Sequence, residues 1–287
     1  MADQSTRGEQ SITERERALL ANLAALGGAL VAFSGGVDSG LVLAAATRAL
    51  GARSVLAVTA DSASVPRAEL AAAATTAASM GVAHVIVTTD EMALPEYRRN
   101  AADRCYFCKS VLLDRLVEQA RQRELPYVVT GTNSDDVASD VRPGITAGVE
   151  RGVRTPLHDV GMGKADVRRL ADAWGLALWD KPASPCLASR IKHGVPVTIG
   201  RLARIERAEV AVRNLLSNSA LTVRDLRVRD LGTDLRVEVD GNQVDDVAGL
   251  GPQLALTLVG AGFPVHKPVS VTGFRSGSLS QPSEELN

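Results

Sequence analysis

Residues 32–39 of the chain read Ala32-Phe33-Ser34-Gly35-Gly36-Val37-Asp38-Ser39. An apolar segment precedes the two glycines and an apolar-periodic segment follows them, which predicts a strand, a tight turn and a helix. Adjacent glycines let the backbone turn tightly and approach a ligand closely, because neither carries a Cβ atom. The first amides of the helix have no partners within it and lie at the positive end of its dipole. The stretch therefore predicts an anion site, with phosphate as the usual anion.

The turn differs from the two most common phosphate-binding motifs. It has no lysine, so it is not a Walker loop, and its adjacent glycines do not match Gly-x-Gly-x-x-Gly. The string Ser-Gly-Gly-Val-Asp-Ser resembles the pyrophosphate loop (PP-loop) of the ATP pyrophosphatase superfamily. The resemblance implies that ATP is split between its α and β phosphates and that residues of this loop bind it: Ser34, Gly35, Gly36, Val37, Asp38 and Ser39. A purely structural strand–helix turn is the alternative.

Composition narrows the class of protein. The 287 residues are 45% hydrophobic but only 3% aromatic, so we expect a core of alanine, valine and leucine. A net charge of −1 gives no support to a nucleic-acid partner. No apolar run approaches the length of a membrane span, and the N-terminus shows no signal-peptide pattern. We therefore expect a soluble, cytoplasmic protein that binds neither nucleic acid nor membrane.

Short apolar strands alternate with helical patterns in the first two-thirds of the chain. This order predicts an α/β fold, a Rossmann-like parallel sheet covered by helices on both faces. A smaller α+β domain, with a hairpin centred on residues 232–234, is expected to follow. We expect disordered ends at residues 1–11 and 276–287, a PP-loop domain over 12–192 and the α+β domain over 193–275. The predicted strands of the first domain are residues 29–33, 54–59, 84–88, 127–130 and 176–179. Its predicted helices include one from Thr13 to Leu26 and one that begins near Lys109, and the second domain is predicted to contain a helix over 244–261 and a strand over 265–271.

Ligands of such sheets lie beyond the carboxyl ends of the strands. The loops at 34–39, 60–65, 131–142 and 181–190 are therefore expected to converge on one cleft. Asp61 and Gly131 each follow a predicted strand and become candidate ATP-binding residues.

The chain has three cysteines. Cys105 and Cys108 form a Cys-x-x-Cys pair near the start of a predicted helix, where the dipole favours thiolates, and Cys186 follows the last predicted strand of the sheet. Three thiolates suit a [4Fe–4S] cluster with one open iron, or zinc with an outside ligand. A thioredoxin-like pair fits less well, because the motif lies away from the first βαβ turn, and buried structural cysteines are the remaining alternative.

Several motifs together resemble the LarE family, the ATP-dependent sulfur transferases of nickel-pincer nucleotide synthesis. The resemblance implies an adenine nucleotide alpha hydrolase-like fold and extends from the first strand to about residue 270. It implies adenylation of the carboxylates of pyridinium-3,5-dicarboxylic acid mononucleotide, followed by replacement of oxygen with sulfur. The motifs are residues 34–39, 104–109, 131–136, Arg142-Pro143-Gly144 and 185–190.

The resemblance implies two possible sulfur sources. In one, a cysteine at the position of Cys186 gives up its own sulfur. In the other, Cys105, Cys108 and Cys186 carry a [4Fe–4S] cluster whose open iron holds a donated sulfide; the three cysteines here match this pattern. The sequence does not identify the sulfide donor.

Other residues enter the same scheme. Asp38 is the candidate ligand of Mg²⁺, which compensates the charge of the leaving pyrophosphate, and helix capping is its structural alternative. Arg190 is a candidate catalytic residue because it is expected to lie close to Cys186 in the predicted cleft. In LarE relatives the arginines matching Arg227 and Arg229 hold a phosphate, with the matches of Glu238 and Asp246 close by; an exposed charged strand face is the alternative. The histidines at 84, 158, 193 and 266 show no ligand spacing and receive no role.

The resemblance further implies a homo-oligomer, such as a hexamer, acting on a small nucleotide substrate. Three other functions remain open at this point. A tRNA thiolase of the same superfamily predicts a basic groove, and an ammonia-dependent amide synthetase needs no cysteine trio. A non-catalytic iron–sulfur or nucleotide sensor would bind ATP without releasing pyrophosphate.

Overall fold

The structure is a computed structural model that describes residues 2–138 and 143–275, with side chains described for 12–137 and 143–275. The predicted disordered tail at 276–287 and Arg142 of the Arg-Pro-Gly motif lie outside the described residues.

Helices and strands alternate through the first two-thirds of the chain. In chain order, the α-helices of the described residues are α1 (Ala2–Ala24), α2 (Val37–Leu50), α3 (Arg67–Ser79), α4 (Pro95–Arg98), α5 (Arg104–Gln122), α6 (Ser134–Ala138), α7 (Pro143–Glu150), α8 (Pro156–Asp159), α9 (Lys164–Ala173), α10 (Ile199–Asn218), α11 (Val244–Gly249) and α12 (Gly251–Gly260). The strands are β1 (Ala29–Ala32), β2 (Val55–Asp61), β3 (Ala83–Thr88), β4 (Tyr127–Val129), β5 (Leu226–Asp230), β6 (Leu235–Val239) and β7 (Ser270–Gly273). Within the described ranges, none of these helices is both long enough and apolar enough to cross a membrane.

The chain forms two compact units. The first comprises Met1–Glu91 and Cys105–Ser184, and the second comprises Met92–Arg104 and Pro185–Asn287. This division departs from the predicted domains in two places. The second unit begins before residue 193, and it also takes a segment from the middle of the predicted PP-loop domain.

Hydrogen bonds around Asn100 explain why that segment belongs to the second unit. The side chain of Asn100 is fully buried, and its Nδ2 donates to the carbonyls of Lys192 at 2.9 Å and Val195 at 2.8 Å. The Val197 amide in turn donates to the carbonyl of Arg98 at 2.8 Å. A buried amide needs such partners, so the segment is fixed to residues that follow Pro185.

The first unit contains a four-stranded sheet in the order β3-β2-β1-β4 with every pairing parallel. The predicted α/β class is therefore confirmed. The predicted fifth strand at 176–179 is wrong, because the Trp179 amide donates to the Leu176 carbonyl at 3.0 Å and the Lys181 amide to the Leu178 carbonyl at 3.0 Å. These i to i+3 bonds close turns and leave no extended strand to pair with the sheet.

Helices cover both faces of this sheet. Ala29 and Val31 of β1 pack on one face with residues of α1, α2 and α9, whereas Leu30 packs on the other face with residues of α5 and α7. Successive side chains of a strand point to opposite faces, so a strand covered on both sides reads as a continuous apolar run. This double burial explains why β1 was recognisable in the sequence.

Two helices of the first unit begin earlier than their patterns predicted. Residues 2–11, expected to be disordered, form the first part of α1, which was predicted to start at Thr13. No proline interrupts the chain before Thr13, so helical hydrogen bonds can continue through it. The helix α5 begins at Arg104 instead of near Lys109, which places the Cys-x-x-Cys pair inside its first turns.

The second unit contains a three-stranded sheet in the order β5-β6-β7. The predicted hairpin is confirmed as the antiparallel pair β5 and β6, with Val228 opposite Val237. The predicted helix at 244–261 is broken into α11 and α12, because Pro252 stands in the first turn of α12, where its missing N–H is tolerated. The last strand begins at Ser270, after two prolines at 264 and 268 that disfavour an earlier start.

Candidate functional site

The PP-loop lies between β1 and α2 and leaves the first amides of α2 uncapped. Gly36 is the N-cap residue of α2, and no side chain in the described part of the chain accepts a capping hydrogen bond from the first turn. The first helical bond recorded there runs from the Gly40 amide to the Gly36 carbonyl at 2.9 Å. Gly35 has φ of +74°, a conformation that favours glycine. The loop therefore presents backbone N–H groups at the positive end of a helix dipole, an arrangement suited to phosphate.

The two serines of the loop are bonded to each other. Their hydroxyl oxygens lie 3.1 Å apart, and the Ser34 amide donates to Ser39 Oγ at 3.2 Å. The Ser39 hydroxyl also lies 3.2 Å from the Gly36 carbonyl, to which it donates. Ser34 is exposed whereas Ser39 is buried. The exposed hydroxyl is consequently the one available to a ligand, and the buried one holds the loop closed.

The loop that follows β4 packs directly on the start of α2. A Cβ atom added to Gly131 would lie 2.6 Å from the Ser39 backbone nitrogen and 2.8 Å from the Asp38 carbonyl carbon. No side chain fits there, because both obstructing atoms belong to the backbone. Two loops that the sequence expected to converge, 34–39 and 131–133, are thus in contact within the first unit.

Asp38 lies in this contact as a half-buried carboxylate. Asn133 is fully buried and its Nδ2 donates to Asp38 Oδ1 at 3.1 Å. Burial raises the pKa of Asp38 above its ordinary value, a hydrogen bond from Asn133 lowers it, and nearby Asp136 raises it further. Lys164 and Arg168 act in the opposite direction. A desolvated carboxylate of this kind gains from a cation, since a bound cation compensates the buried charge.

Asp61 terminates β2 at the same edge of the sheet. Its carboxylate accepts a hydrogen bond from the Arg67 guanidinium at 2.5 Å. The two residues line a shallow cleft together with Thr88, Thr89 and Asp90 at the end of β3. Asp61 therefore lies at the carboxyl end of its strand, and its side chain is hydrogen-bonded to Arg67.

Lys181 is a residue that the sequence reasoning missed. Its Nζ donates to the Gly35 carbonyl at 2.9 Å and to Glu69 Oε2 at 2.7 Å. The signal available in the sequence was its place at the start of the loop 181–190, which was expected at the cleft. The sequence pattern indicated the loop but did not distinguish Lys181 from the other residues in it.

The three cysteines fall in different units. Cys105 is exposed and Cys108 is half-buried, and both lie in the first turns of α5 in the first unit. Cys186 is half-buried, belongs to the second unit, and is the N-cap of a short 3-10 helix, Leu187–Arg190. None of the three forms a disulfide. Across residues 2–138 and 143–275, no group of three or more His, Cys, Asp and Glu side chains is arranged as a metal site.

Arg190 is buried within the second unit, with 2% of its surface exposed. Its guanidinium binds Glu209 through two hydrogen bonds, at 3.0 and 3.2 Å. It also donates to the carbonyls of Pro185 and Cys186. Arg190 therefore holds the backbone at Cys186, and its contacts in the structure are with the protein's own groups.

Arg227 and Arg229 are also buried, each about 5% exposed. The alternative of an exposed charged strand face is therefore wrong. Arg229 pairs with buried Glu238 at 2.7 Å and donates to the Ser189 carbonyl at 3.0 Å. Burial lowers the pKa of Arg227, and nearby Arg190 lowers it further. Asp246, on α11, is exposed.

These arginines form a cluster of buried ion pairs near the loop that carries Cys186. Arg190 and Arg229 both lower the pKa of Arg227, whereas Glu209 and Asp225 raise it. Buried cations are costly unless anions compensate them. The pairs Arg190–Glu209 and Arg229–Glu238 are close, at 3.0 and 2.7 Å, whereas the pair Arg227–Asp225 is longer, at 3.8 Å.

Comparison with known proteins finds relatives over most of the chain. The asparagine synthase family profile matches residues 17–139, which include the PP-loop and the loop after β4. An uncharacterized protein of Synechocystis sp., slr1717, is 42% identical over 257 residues, covering 88% of this chain and 92% of the relative. The pyridinium-3,5-bisthiocarboxylic acid mononucleotide synthase of Lactiplantibacillus plantarum is 31% identical over 270 residues, covering 94% of this chain and 95% of the relative.

A third relative covers a shorter part of the chain. The uncharacterized protein MJ0830 of Methanocaldococcus jannaschii is 32% identical over 129 residues, which is 45% of this chain. The likeness to the L. plantarum synthase, by contrast, spans nearly the full length of both proteins. The chain also has a parallel sheet whose strand β1 leads into a PP-loop. Together with that sheet, this likeness shows that the chain belongs to the LarE family of the PP-loop superfamily.

Proposed function

We propose that the protein is an ATP-dependent sulfur transferase that converts the carboxylates of pyridinium-3,5-dicarboxylic acid mononucleotide into thiocarboxylates. The observation that carries this proposal is the uncapped start of α2 beside the half-buried carboxylate of Asp38. Membership of the LarE family supports ATP use and sulfur transfer for nickel-pincer cofactor synthesis. The L. plantarum relative is a pyridinium-3,5-bisthiocarboxylic acid mononucleotide synthase, and the corresponding dicarboxylate nucleotide is the proposed substrate of this chain.

The first step activates the substrate. A carboxylate oxygen attacks the α-phosphorus of ATP, and the bond from that phosphorus to the β-phosphate oxygen breaks. Pyrophosphate leaves with the bonding electrons, so negative charge grows on the group next to the uncapped amides of Val37, Asp38 and Ser39. Amides already aimed at that charge stabilise the transition state without reorganising.

The residues present fit a magnesium ion that is shared with ATP. Mg²⁺ usually binds through one or two carboxylates, with phosphate oxygens and water completing its shell. Asp38 offers one carboxylate, Asn133 orients it, and the described residues contain no preformed cage of three or more ligands. Bound Mg²⁺ would neutralise charge on the phosphates, and Asp38 is the residue that would hold it.

The second step introduces sulfur. A sulfur nucleophile attacks the carboxyl carbon of the adenylate, and the bond from that carbon to the AMP oxygen breaks. AMP leaves and the thiocarboxylate remains. Repetition on the second carboxylate gives the bisthiocarboxylate.

We propose that Cys105, Cys108 and Cys186 supply the sulfur chemistry. The donor set fits a [4Fe–4S] cluster in its chemistry, because three thiols without disulfides match the number that leaves one iron open. All three are at least partly accessible. Such a cluster, when bound, supplies an open iron able to hold a sulfide. Arg190 would act on Cys186 through the backbone carbonyls that it holds.

The buried arginine pair supports a phosphate site for the substrate. Glu238 orients Arg229, and the pKa of Arg227 is lowered by burial and by Arg190 and Arg229, which Glu209 and Asp225 offset only in part, so a bound phosphate would add to that compensation. The 5′-phosphate of the nucleotide is the proposed anion. The homo-oligomeric state implied by the resemblance stays a prediction.

Pyrophosphate release tests the proposal. The wild-type chain, reconstituted anaerobically with iron and sulfide, is incubated with ATP, Mg²⁺ and the dicarboxylate nucleotide, and pyrophosphate and thiocarboxylate are measured. Both products are expected only with the complete mixture, and Asp38→Asn is expected to abolish pyrophosphate release. ATP binding without pyrophosphate release under any sulfur supply would favour a sensor and overturn the enzyme proposal.

Iron analysis and intact mass separate the two sulfur sources. A cluster predicts about four irons per chain and an unchanged protein mass after turnover. Serine variants at Cys105, Cys108 and Cys186 should each lower the bound iron. A mass lowered by the elements of H₂S, with no iron present, would instead mean that Cys186 gave up its sulfur.

A further inference from the structure

The Lys181 ammonium is shared between the PP-loop and a carboxylate of α3. Its Nζ lies 2.9 Å from the Gly35 carbonyl oxygen and 2.7 Å from Glu69 Oε2. Each of the two side chains is about one-quarter exposed, at 24%. The lysine and the glutamate compensate each other's charge, so the pair adds little net charge to the loop. Its contribution to the loop is therefore one of orientation.

This contact fixes the direction of the peptide that joins Gly35 to Gly36. The described residues contain no cis peptide bond, and a trans peptide points its C=O and N–H in opposite directions. Because the Gly35 carbonyl points to Lys181, the Gly36 N–H points away from it. Among the described residues, that N–H meets only Ser34 Oγ at 3.4 Å, which is longer than an ordinary N–H···O bond. The amide is thereby directed to the exposed side of the loop with capacity for a stronger acceptor.

A peptide between two glycines does not hold its orientation by itself. Gly35 has φ of +74° and Gly36 has φ of −86°, and glycine occupies both signs of φ with similar ease. Rotation of the whole peptide plane would exchange the carbonyl for the amide and turn an acceptor toward an incoming phosphate. An external hydrogen bond to the carbonyl prevents this exchange.

Lys181 is itself held in place by the first unit. The Arg168 guanidinium donates to the carbonyls of Trp179 and Lys181, each at 2.9 Å. The side chain of Leu178 packs directly against Gly40, where an added Cβ atom would lie 2.5 Å from a methyl carbon of Leu178. The turn that carries Lys181 is therefore anchored to α9 and to α2.

We infer that Lys181, oriented by Glu69, is a positioning residue that presets the Gly36 amide for the pyrophosphate portion of ATP. The inference rests on the proposed use of the PP-loop for ATP. It assigns the lysine a role through the Gly35 peptide, without direct contact between the ammonium and a phosphate. The ligand that it serves is a diphosphate group.

Calorimetric titration with inorganic pyrophosphate and Mg²⁺ tests the inference on the full chain. The variants are Lys181→Met, which removes the ammonium, and Lys181→Arg, which keeps a charged donor. The matched control is Lys267→Met, which removes an exposed lysine 3.0 Å from Asp234 in the second unit. Losing a charge-assisted hydrogen bond predicts about a tenfold to hundredfold weaker pyrophosphate affinity for Lys181→Met. Lys181→Arg should retain most of the affinity, and Lys267→Met all of it.

An NMR measurement on the ligand-free protein separates positioning from direct contact. With Gly36 assigned, its amide resonance should shift in Lys181→Met and stay in place in Lys267→Met. Thermal unfolding of each variant checks that the fold is intact, and Lys181→Arg keeps the test valid if Lys181→Met does not fold. An unchanged Gly36 resonance in a Lys181→Met protein that binds pyrophosphate weakly would mean direct phosphate contact and would overturn the inference.

Two further outcomes are distinguishable. Wild-type affinity for pyrophosphate in Lys181→Met would overturn this inference and leave the proposed function standing. A wild-type chain that binds neither ATP nor pyrophosphate would overturn both.

Discussion

Asn133 donates a hydrogen bond from its fully buried amide to the carboxylate of Asp38, 95 residues earlier in the chain, at 3.1 Å. The bond joins the loop after β4 to the PP-loop of the same unit. It stabilises the ionised carboxylate, which burial otherwise disfavours. The ability of Asp38 to bind a cation therefore depends on a neutral side chain from another loop.

Asn133→Ala is expected to raise the pKa of Asp38 further, because burial and Asp136 would then act with less opposition. Mg²⁺-dependent ATP binding should weaken by about tenfold, the scale of one hydrogen bond to a charged group, with a loss that grows as the pH is lowered. Calorimetry over a series of pH values measures the affinity, and carboxyl ¹³C shifts measure the pKa. Asn218→Ala, at an exposed position, is the control. A lowered pKa of Asp38 in Asn133→Ala would contradict the argument.

Asp38→Asn is expected to make the ligand-free protein more stable at pH 7. The folded-state pKa of Asp38 lies above its ordinary value of 3.8, so the native state binds more protons than the unfolded state between the two values. Stability from this group therefore falls as pH rises from 3.8 through the raised pKa, and an asparagine has no charge to desolvate. Denaturant unfolding at pH 4 and pH 7 should show the difference between variant and wild type growing with pH. A variant less stable than wild type at pH 7 would refute this account.

Gly131→Ala is expected to destabilise the first unit by about 1–3 kcal/mol, the usual cost of overpacking, and to weaken ATP binding. Its Cβ atom would lie 2.6 Å from the Ser39 nitrogen, so the PP-loop has to shift. Gly200→Ala is the matched control, since no atom lies within 4 Å of its Cβ position in α10. That change should leave ATP binding unaltered and stabilise the chain by up to about 1 kcal/mol through helix propensity. Denaturant unfolding and ATP titration of both variants distinguish the two cases.

Arg190→Met is expected to destabilise the protein by about 3 kcal/mol or more, because Glu209 would keep a partly buried charge without its main partner. The double variant Arg190→Met, Glu209→Met should recover much of this loss. Arg115→Met, which removes an exposed pair with Glu118, should cost no more than about 1 kcal/mol. Equal losses of unfolding free energy in Arg190→Met and Arg115→Met would show that burial does not determine how much the Arg190–Glu209 pair contributes to stability.

The first sheet was predictable because its strands are short apolar runs, of which β1, β2 and β4 are mostly buried and the edge strand β3 is partly exposed. The strand expected at 176–179 shows the limit of that signal, since an apolar run forms a turn equally well when its packing partner is Gly40. The PP-loop was predictable because its glycines and the following helix lie together in sequence. Lys181 was not, because its function depends on Gly35 and Glu69, which precede it by more than one hundred residues.

The cysteine trio and the arginine pair show a different limit. Spacing indicated that Cys105 and Cys108 share a helix start, and the structure agrees. The alternating pattern of a strand such as β5 indicates which side chains share a face. It does not indicate whether that face is exposed. Arg227 and Arg229 are buried because β5 packs against α10, a relation fixed by tertiary structure alone.

The path of the chain through Asn100 has a consequence for how the protein is made. On the ribosome, Asn100 is synthesised 92 residues before Lys192 and 95 residues before Val195, whose carbonyls it binds. At roughly 5–20 residues per second, this delay lasts on the order of 5–20 s. The strands β1 to β3 precede Asn100 in the chain and β4 is made during that interval, so all four have time to pair before Lys192 is made. The segment Met92–Arg104 therefore stays without these native partners until residues 192–197 have been made, and only then can the Asn100 amide be buried with its hydrogen bonds satisfied.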